Sequence, residues 1–351
     1  MRKSLLAVLG LSAALLAAAP AVHAQTKWRM PAAVPEGSFF YETFMKKFAE
    51  NVKLLTDGKV VIEPYGAGVL APAFKVYEAV IDGTVEAGHT TPSYLVNQDP
   101  TNAIFADYPG GMSPEATVAW LYEGGGEKML KDFRRDKMKL HTMVVGVGSS
   151  EILAHSNKPI RTKEDFKGLK YRTSGAFAEV LKELGAVPTV VPPAEIYTLL
   201  ERKGVDAIEW ATPGSNLSEG FHKVAKYIVL PGIHQPSFVW EVVLKQETWD
   251  KLPKDLQAKV EAAAKLTTLE ALPKFQYADA KALDLYRASG NEIIVLAPSV
   301  VNDIRTLGTN WAKKTAAERK AKGDDTMDKV LASYLGYQSL WSKNSVYMIR
   351  D

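Results

Sequence analysis

The chain contains no cysteine. That excludes disulfides, thiol catalysis, Fe–S clusters and cysteine-ligated zinc, and leaves stability to the core. A chain of 351 residues can build a large core and divides naturally into two domains. An excess of charge is also missing: 43 basic residues face 40 acidic ones. No broad positive field therefore points to nucleic acid or an anionic membrane as a partner. Long apolar runs are absent apart from Leu5 to Leu16, which falls short of the roughly 18 residues of a spanning helix. Catalytic signatures are missing too. There is no HExxH and no GxSxG. Gly146-Val147-Gly148-Ser149-Ser150-Glu151 starts like a dinucleotide loop, but its sixth position is a carboxylate that would oppose a pyrophosphate. Gly124-Gly125-Gly126-Glu127-Lys128 lacks the spacing and the Ser/Thr of a P-loop. The six histidines, His23, His89, His141, His155, His222 and His234, show no metal-ligand spacing. Taken singly, a residue such as His89 reads as a hydrogen-bonded structural histidine before it reads as a base.

What is present begins with an export signal. Arg2 and Lys3 precede the apolar run, and Val22-His23-Ala24 places small residues for cleavage before Gln25. Cleavage removes those two basic residues and no acidic one, leaving 41 against 40. The mature chain is expected to be exported and close to neutral.

Lys27 to Ala33 alternates as a strand. Phe39 to Leu55 sets Phe44, Phe48, Val52 and Leu55 on one helical face, stopped at Asp57-Gly58. Lys59 to Tyr65 is a β-branched strand, Ala73 to Ile81 a helix stopped at Asp82-Gly83, and Val85 to Thr90 a short strand. This βαβαβ order predicts a largely parallel sheet. Met143 to Gly148 and Glu151 to His155 are extended. Thr162 and Asp165 form a capping box opening a short helix that Gly168 ends. The alternation then resumes with a strand at Leu169–Arg172, a helix at Ala176–Leu184 and a strand at Pro188–Val191. A helix at Ala194–Arg202 and a strand at Val205–Trp210 complete it. Phe238 to Leu244 is a further strand. From Glu247 the chain is helical, with one strand at Glu292–Leu296 and a solvated helix and loop at Lys313–Asp325. The fold class expected is α/β: two lobes, each a mixed sheet flanked by helices, a central cleft and a helical C-terminal region. The expected division is 25–146 with about 214–246, 147–213 with about 247–300, and C-terminal helices over 301–351. The crossovers fall near Met143–Gly148 and Phe238–Leu244. A cleft between lobes is a common small-molecule site and closes by hinge motion.

Within Asp165–Gly175, Arg172 ends a strand before a Gly-containing turn and a helix, where ligands of α/β proteins sit. Its rigid charged fork matches a carboxylate. It faces either an acidic ligand or a neighbouring Asp or Glu. Lys170 shares its side of the strand by alternation, and the helix N-terminus beyond Ser174 and Gly175 favours anions. Glu209 and Trp210 end the strand Val205–Trp210. A carboxylate among Val205, Ile208 and an indole is either paired with a Lys or Arg or coordinates a hard cation. Glu151 opens its extended run where it can face the same cleft. Tyr94 and Trp120 are candidates for the cleft wall, each of a type that is more often core.

These residues form a pattern. KGLKYRTSG at Lys167–Gly175, within a bilobal exported chain, resembles the solute-binding proteins of tripartite ATP-independent periplasmic (TRAP) transporters, the DctP type. GTVEAGHTTPSYL (Gly83–Leu95), AWLYEGGG (Ala119–Gly126) and GVDAIEWATP (Gly204–Pro213) are similar to the subgroup that binds 2-oxo and hydroxy acids. The resemblance covers nearly the whole mature chain. It implies a periplasmic-binding-protein fold, a periplasmic location, no catalysis, a small organic acid as ligand and membrane permease subunits as partners. Arg172 would bind the ligand carboxylate. Glu209 and Trp210, with Glu151, would hold a Na⁺ or Ca²⁺ ion bridging ligand and protein. Tyr94 would line the other lobe. The subgroup tends to have Gln at the position of Glu151, and Ala211–Asn216 also departs from its pattern; both bear on which acid is bound. The subgroup can also dimerise through C-terminal helices, which the apolar tail Val330–Met348 would permit. Two rivals stand beside this reading: a binder of neutral polyols or sugars with Arg172 structural, and an exported acid-processing enzyme using Glu151 and Glu209.

Overall fold

In the computed structural model, which describes residues 25–348, the N-terminal periodicities become β1 (Thr26–Pro31), α1 (Lys47–Leu55) and β2 (Val60–Tyr65). The expected signal segment lies outside the described residues. A π-helical turn, Tyr41–Lys46, leads into α1. Phe44, Phe48 and Val52, four residues apart, are all buried, and Asp57 and Gly58 end the helix at φ 53° and 71°. Then come α2 (Val76–Ile81) and β3 (Ala87–Thr90). Three helices outside the sequence reading follow: α3 (Thr101–Ala106), α4 (Pro114–Tyr122) and α5 (Gly126–Met138), before β4 (Leu140–Gly148).

The second half of the alternation gives β5 (Ala154–Ser156), β6 (Lys170–Arg172), α6 (Phe177–Glu183) and β7 (Val187–Thr189). It continues with α7 (Ile196–Glu201), β8 (Ala207–Ile208), α8 (Pro213–Glu219) and β9 (Tyr227–Leu230). The Thr162–Asp165 capping box is present, and Gly168 leaves that turn at φ 71°. The chain ends with β10 (Phe238–Lys245), α9 (Gln246–Asp250), α10 (Lys254–Ala288), β11 (Glu292–Val295), α11 (Pro298–Ala321) and α12 (Thr326–Asn344). No described helix is long and apolar enough to cross a membrane.

Both sheets are mixed. β1 and β2 are parallel, and β1 reaches β3 through a parallel bridge between Ala32 and His89. On its other side β3 pairs antiparallel with β10, which pairs antiparallel with β4. The largely parallel sheet predicted for this region is therefore corrected, because the distant β10 inserts between β3 and β4. The second sheet runs β11-β9-β5-β8-β6-β7, with β5 antiparallel to both neighbours and β6 parallel to both. β9 belongs to this sheet, so residues 214–230, expected with the first lobe, contribute a strand to the second. The chain passes between sheets at 149–153 and again at 231–237, just outside the strands β4 and β10. The 35-residue α10 packs on β4, α1 and α8 and ends beside β11.

Of the apolar C-terminal tail, Val330, Leu331 and Tyr334 are buried inside the chain, while Leu340, Val346 and Tyr347 are exposed. Tyr334 donates from its hydroxyl to Asp107 Oδ1 at 2.5 Å. Asp107 Oδ2 accepts from the Ser237 amide at 2.9 Å and hydroxyl at 3.1 Å. α12 is thereby tied to the last residue of the passage 231–237. Burial pushes the Asp107 carboxyl up to about 6, against those hydrogen bonds. A raised carboxyl keeps its proton in the folded state where the unfolded chain has released it. Its stabilisation is complete below the ordinary value of 3.8 and is lost as pH rises through about 6. Urea unfolding of wild type and Asp107→Asn should show the gap between them changing by about 3 kcal/mol across that window. A pH-independent gap overturns this.

Candidate functional site

Arg172 closes β6 with no side-chain exposure. Its Nη1 donates to the Glu209 carbonyl at 2.8 Å and to Glu209 Oε1 at 3.3 Å, and its Nη2 donates to the Val191 carbonyl at 3.0 Å. Its Nε is buried without a partner. The two strand-end candidates are thus each other's partner, since parallel pairing of β6 with β8 sets Arg172 beside Ile208. Lys170, on the same side by alternation, is exposed at the start of the strand. Ser174 donates its amide to Glu209 Oε1 at 2.9 Å, and Gly175 takes φ 69° in the turn to α6.

Glu151 stands in the passage 149–153, and His234 in the passage 231–237. His234 Nε2 lies 3.0 Å from Glu151 Oε2 and 3.9 Å from Glu209 Oε2, all three side chains being buried. One ligand atom from each of Glu151, Glu209 and His234 falls within 4.8 Å of the others. Burial, joined by the like charge of Glu209, pushes the Glu151 carboxyl up to about 8 against the His234 hydrogen bond. Burial acts the same way on Glu209, but His234 and Arg172 outweigh it and hold that carboxyl down at about 2. His234 is drawn down by burial and up by both carboxylates, which win, raising it to about 9. At neutral pH the cluster holds an ionised Glu209 between an arginine and a proton-bearing His234–Glu151 pair.

The other wall is aromatic. Phe40 lies 5.5 Å from Trp210, 5.2 Å from Phe238 and 5.2 Å from Trp240, ring centre to ring centre. The Trp210 ring also stands 5.8 Å from the Arg172 guanidinium carbon. Tyr94 packs edge-on against Phe74 and Trp240, with its hydroxyl buried and unpartnered. Glu151, Glu209, Trp210, Tyr94, Phe40, Phe238 and Trp240 line a cavity of about 20 Å³, which shares Ser93, Tyr94 and Ser174 with an outer cavity of about 350 Å³. The inner space is the size of a single water, so an organic molecule enters only if the walls part.

The structure brings Arg172, Glu209, Trp210, Glu151 and Tyr94 together. It does not bring Trp120. That residue is core, stacked on Phe105 and edge-on to Tyr334, with its Nε1 donating to Ser333. A Cβ on Gly126 would meet the Trp120 ring at 2.7 Å, so the AWLYEGGG run serves the turn from α4 into α5. His89 is also corrected. Both its ring nitrogens are buried without partners, burial holds it down at about 3, and packing on Trp240 secures it in place of hydrogen bonds. The sequence reading missed His234 and Gln235. Their only local signal is the Pro231-Gly232 and Pro236 punctuation of a short polar loop before a strand, a setting in which function concentrates.

Residues 31–319 match the family model described as bacterial extracellular solute-binding protein, family 7, DctP. Over 298 residues the chain is 29% identical to the monocarboxylate 2-oxoacid-binding periplasmic protein of a Nostoc species, covering 84% of this chain and 80% of that protein. It superposes with a TM-score of 0.85 on a TRAP periplasmic solute-binding protein of Pseudoalteromonas atlantica with bound sodium and pyruvate. There the identity is 29%, covering 92% of this chain and 97% of that one. A Colwellia psychrerythraea TRAP solute-binding protein with bound calcium and pyruvate gives a TM-score of 0.84 at 26% identity, covering 91% and 96%.

Proposed function

The chain belongs to the DctP-type family of TRAP transporter solute-binding proteins, and from that premise we propose that it captures a small 2-oxo or hydroxy monocarboxylate in the cavity at Glu209. The observation that carries this is a buried charged cluster beside an aromatic wall, with Arg172 Nε and the Tyr94 hydroxyl left as unpartnered donors facing no protein acceptor. A ligand carboxylate would take Arg172 Nε, and its carbonyl or hydroxyl oxygen would take Tyr94. The rings of Phe40, Trp210 and Trp240 would cover its apolar end. Proteins of this family deliver solute to membrane permease subunits, so the location is periplasmic and no covalent step is assigned. The passages 149–153 and 231–237 are the places for a hinge.

The donor set fits a cation. Two carboxylates and an imidazole lie within one coordination sphere, and carboxylate oxygens suit Na⁺ or Ca²⁺. Glu151 and Glu209 would hold it. Trp210 would contribute through its carbonyl, because an indole N–H only donates. When bound, the ion adds positive charge beside a site that must accept an anion. Two copies would pair through exposed Leu340, Val346 and Tyr347 of the C-terminal region, which light scattering tests.

A thermal-shift panel of pyruvate, lactate, picolinate, 2-oxoglutarate and ribitol decides the ligand class. A compound at a hundred times its dissociation constant adds about 2.7 kcal/mol. Stabilisation by ribitol alone would favour the polyol reading, and turnover of a bound acid would favour an enzyme. Calorimetric titration with pyruvate in chelator-treated, sodium-free buffer should lose at least about tenfold in affinity, or about 1.4 kcal/mol. Unchanged affinity removes the cation from the site.

A further inference from the structure

Two buried carboxylates share this cavity, and only one has a fixed cation. Arg172 is committed to Glu209 and the Val191 carbonyl. Among the described residues, His234 is the one basic side chain paired with Glu151. Its imidazole is itself held. It lies 5.0 Å from the Phe177 ring, at the start of α6, just beyond the turn that follows Arg172. The backbones beneath also meet. The Glu151 amide donates to the Gln235 carbonyl at 3.3 Å, and a Cβ on Gly232 would lie 2.0 Å from the Glu151 carbonyl oxygen. Only glycine permits that approach. These two passages therefore run against each other, and the imidazole–carboxylate contact spans them.

We propose that His234 is a positioning residue for ligand capture: it contacts Glu151, not the ligand, and holds that carboxylate in the cavity beside Glu209. Without it, Glu151 loses the 3.0 Å hydrogen bond that fixes its carboxyl group beside Glu209, and turns away. The inference rests on the cavity being the ligand site. It does not depend on which ligand or ion occupies it.

The test is a double-mutant cycle read by calorimetry, with pyruvate as probe, or ribitol should only a polyol stabilise the wild type. His234→Leu should weaken binding about ten- to hundredfold, the span of a lost hydrogen bond to a charged group. His234→Gln, which keeps an N–H donor near the Nε2 position, should bind within about threefold of wild type. In a Glu151→Gln background the His234→Leu loss should vanish, because the residue acts through Glu151. Thermal melts confirm that each variant is folded; should His234→Leu fail to fold, the Gln variant and a His234→Asn variant, whose donor falls short, carry the comparison. A loss that persists undiminished in the Glu151→Gln background, or that Gln fails to rescue, marks a merely structural histidine and overturns the inference while the ligand reading stands. A wild type that binds polyol alone overturns the organic-acid reading, and the same cycle still decides His234. A wild type that binds nothing on the panel overturns both.

Discussion

Arg172→Met should weaken capture of pyruvate by roughly 30- to several-thousand-fold, the consequence of losing a buried Arg–carboxylate contact worth about 2–5 kcal/mol. Methionine keeps the length of the stem and removes the fork. The same substitution strands Glu209, a carboxylate only 3% exposed, and a buried charge deprived of its partner costs about 3–5 kcal/mol of stability. Binding and folding would then fall together, and the single variant could not separate them. The double variant Arg172→Met with Glu209→Gln does. It removes both charges, so the stability penalty should largely disappear while the affinity does not return. Arg172→Lys should be intermediate, since an ammonium keeps the charge but not the planar pair of donors that now reaches both Glu209 and Val191. Calorimetry with pyruvate and urea unfolding measure the two effects. A folded Arg172→Met protein that binds pyruvate within about threefold of wild type overturns the anchor role.

The residues that met these expectations carried local signals. Phe44, Phe48 and Val52 announce the continuous helical segment of the π turn and α1 by spacing alone, and Thr162 with Asp165 announces its turn by reciprocal capping. Arg172 and Glu209 were each readable as a site residue or as one half of an ion pair. The structure joins the alternatives, because Arg172 pairs with Glu209 and Glu209 lines the cavity. What stayed hidden depended on distance or on burial. All six residues of α3 are buried, so no polar face marks a helical period there. The place of β10 between β3 and β4 is a tertiary fact with no trace in either strand. Trp120 shows how one composition serves two ends: an aromatic beside a glycine run suits a cleft wall and a tight helix turn equally. His234 reaches Glu151 across 83 positions, and no spacing rule for metal or catalytic histidines spans such a gap.

The second large effect lies behind the aromatic wall. Arg134 on α5 and Glu241 on β10 form an ion pair at 2.5 Å with no exposure of either side chain. Arg134 also donates to Asn102 Oδ1 at 2.7 Å, and Tyr77 and Thr142 both donate to Glu241. Side chains from α2, α5 and β4 meet on this one carboxylate of β10, and α3 joins the network through Arg134. The register of β10 on β4 shifts between Trp240 and Glu241. Such an irregularity re-aims neighbouring side chains: Trp240 lines the cavity while Glu241 points into the network. Arg134→Met should therefore lower unfolding free energy by about 3–5 kcal/mol, the cost of leaving a buried carboxylate without its partner. Arg134→Met with Glu241→Gln should recover much of that loss, because an uncharged set needs no counter-ion. The single variant should also weaken pyruvate binding several-fold, since the strand that carries Trp240 is no longer pinned from behind. Urea unfolding with and without pyruvate reads both. A loss under about 1 kcal/mol would mean that Tyr77 and Thr142 suffice to hold Glu241, and that the position of the aromatic wall is set by the sheet alone.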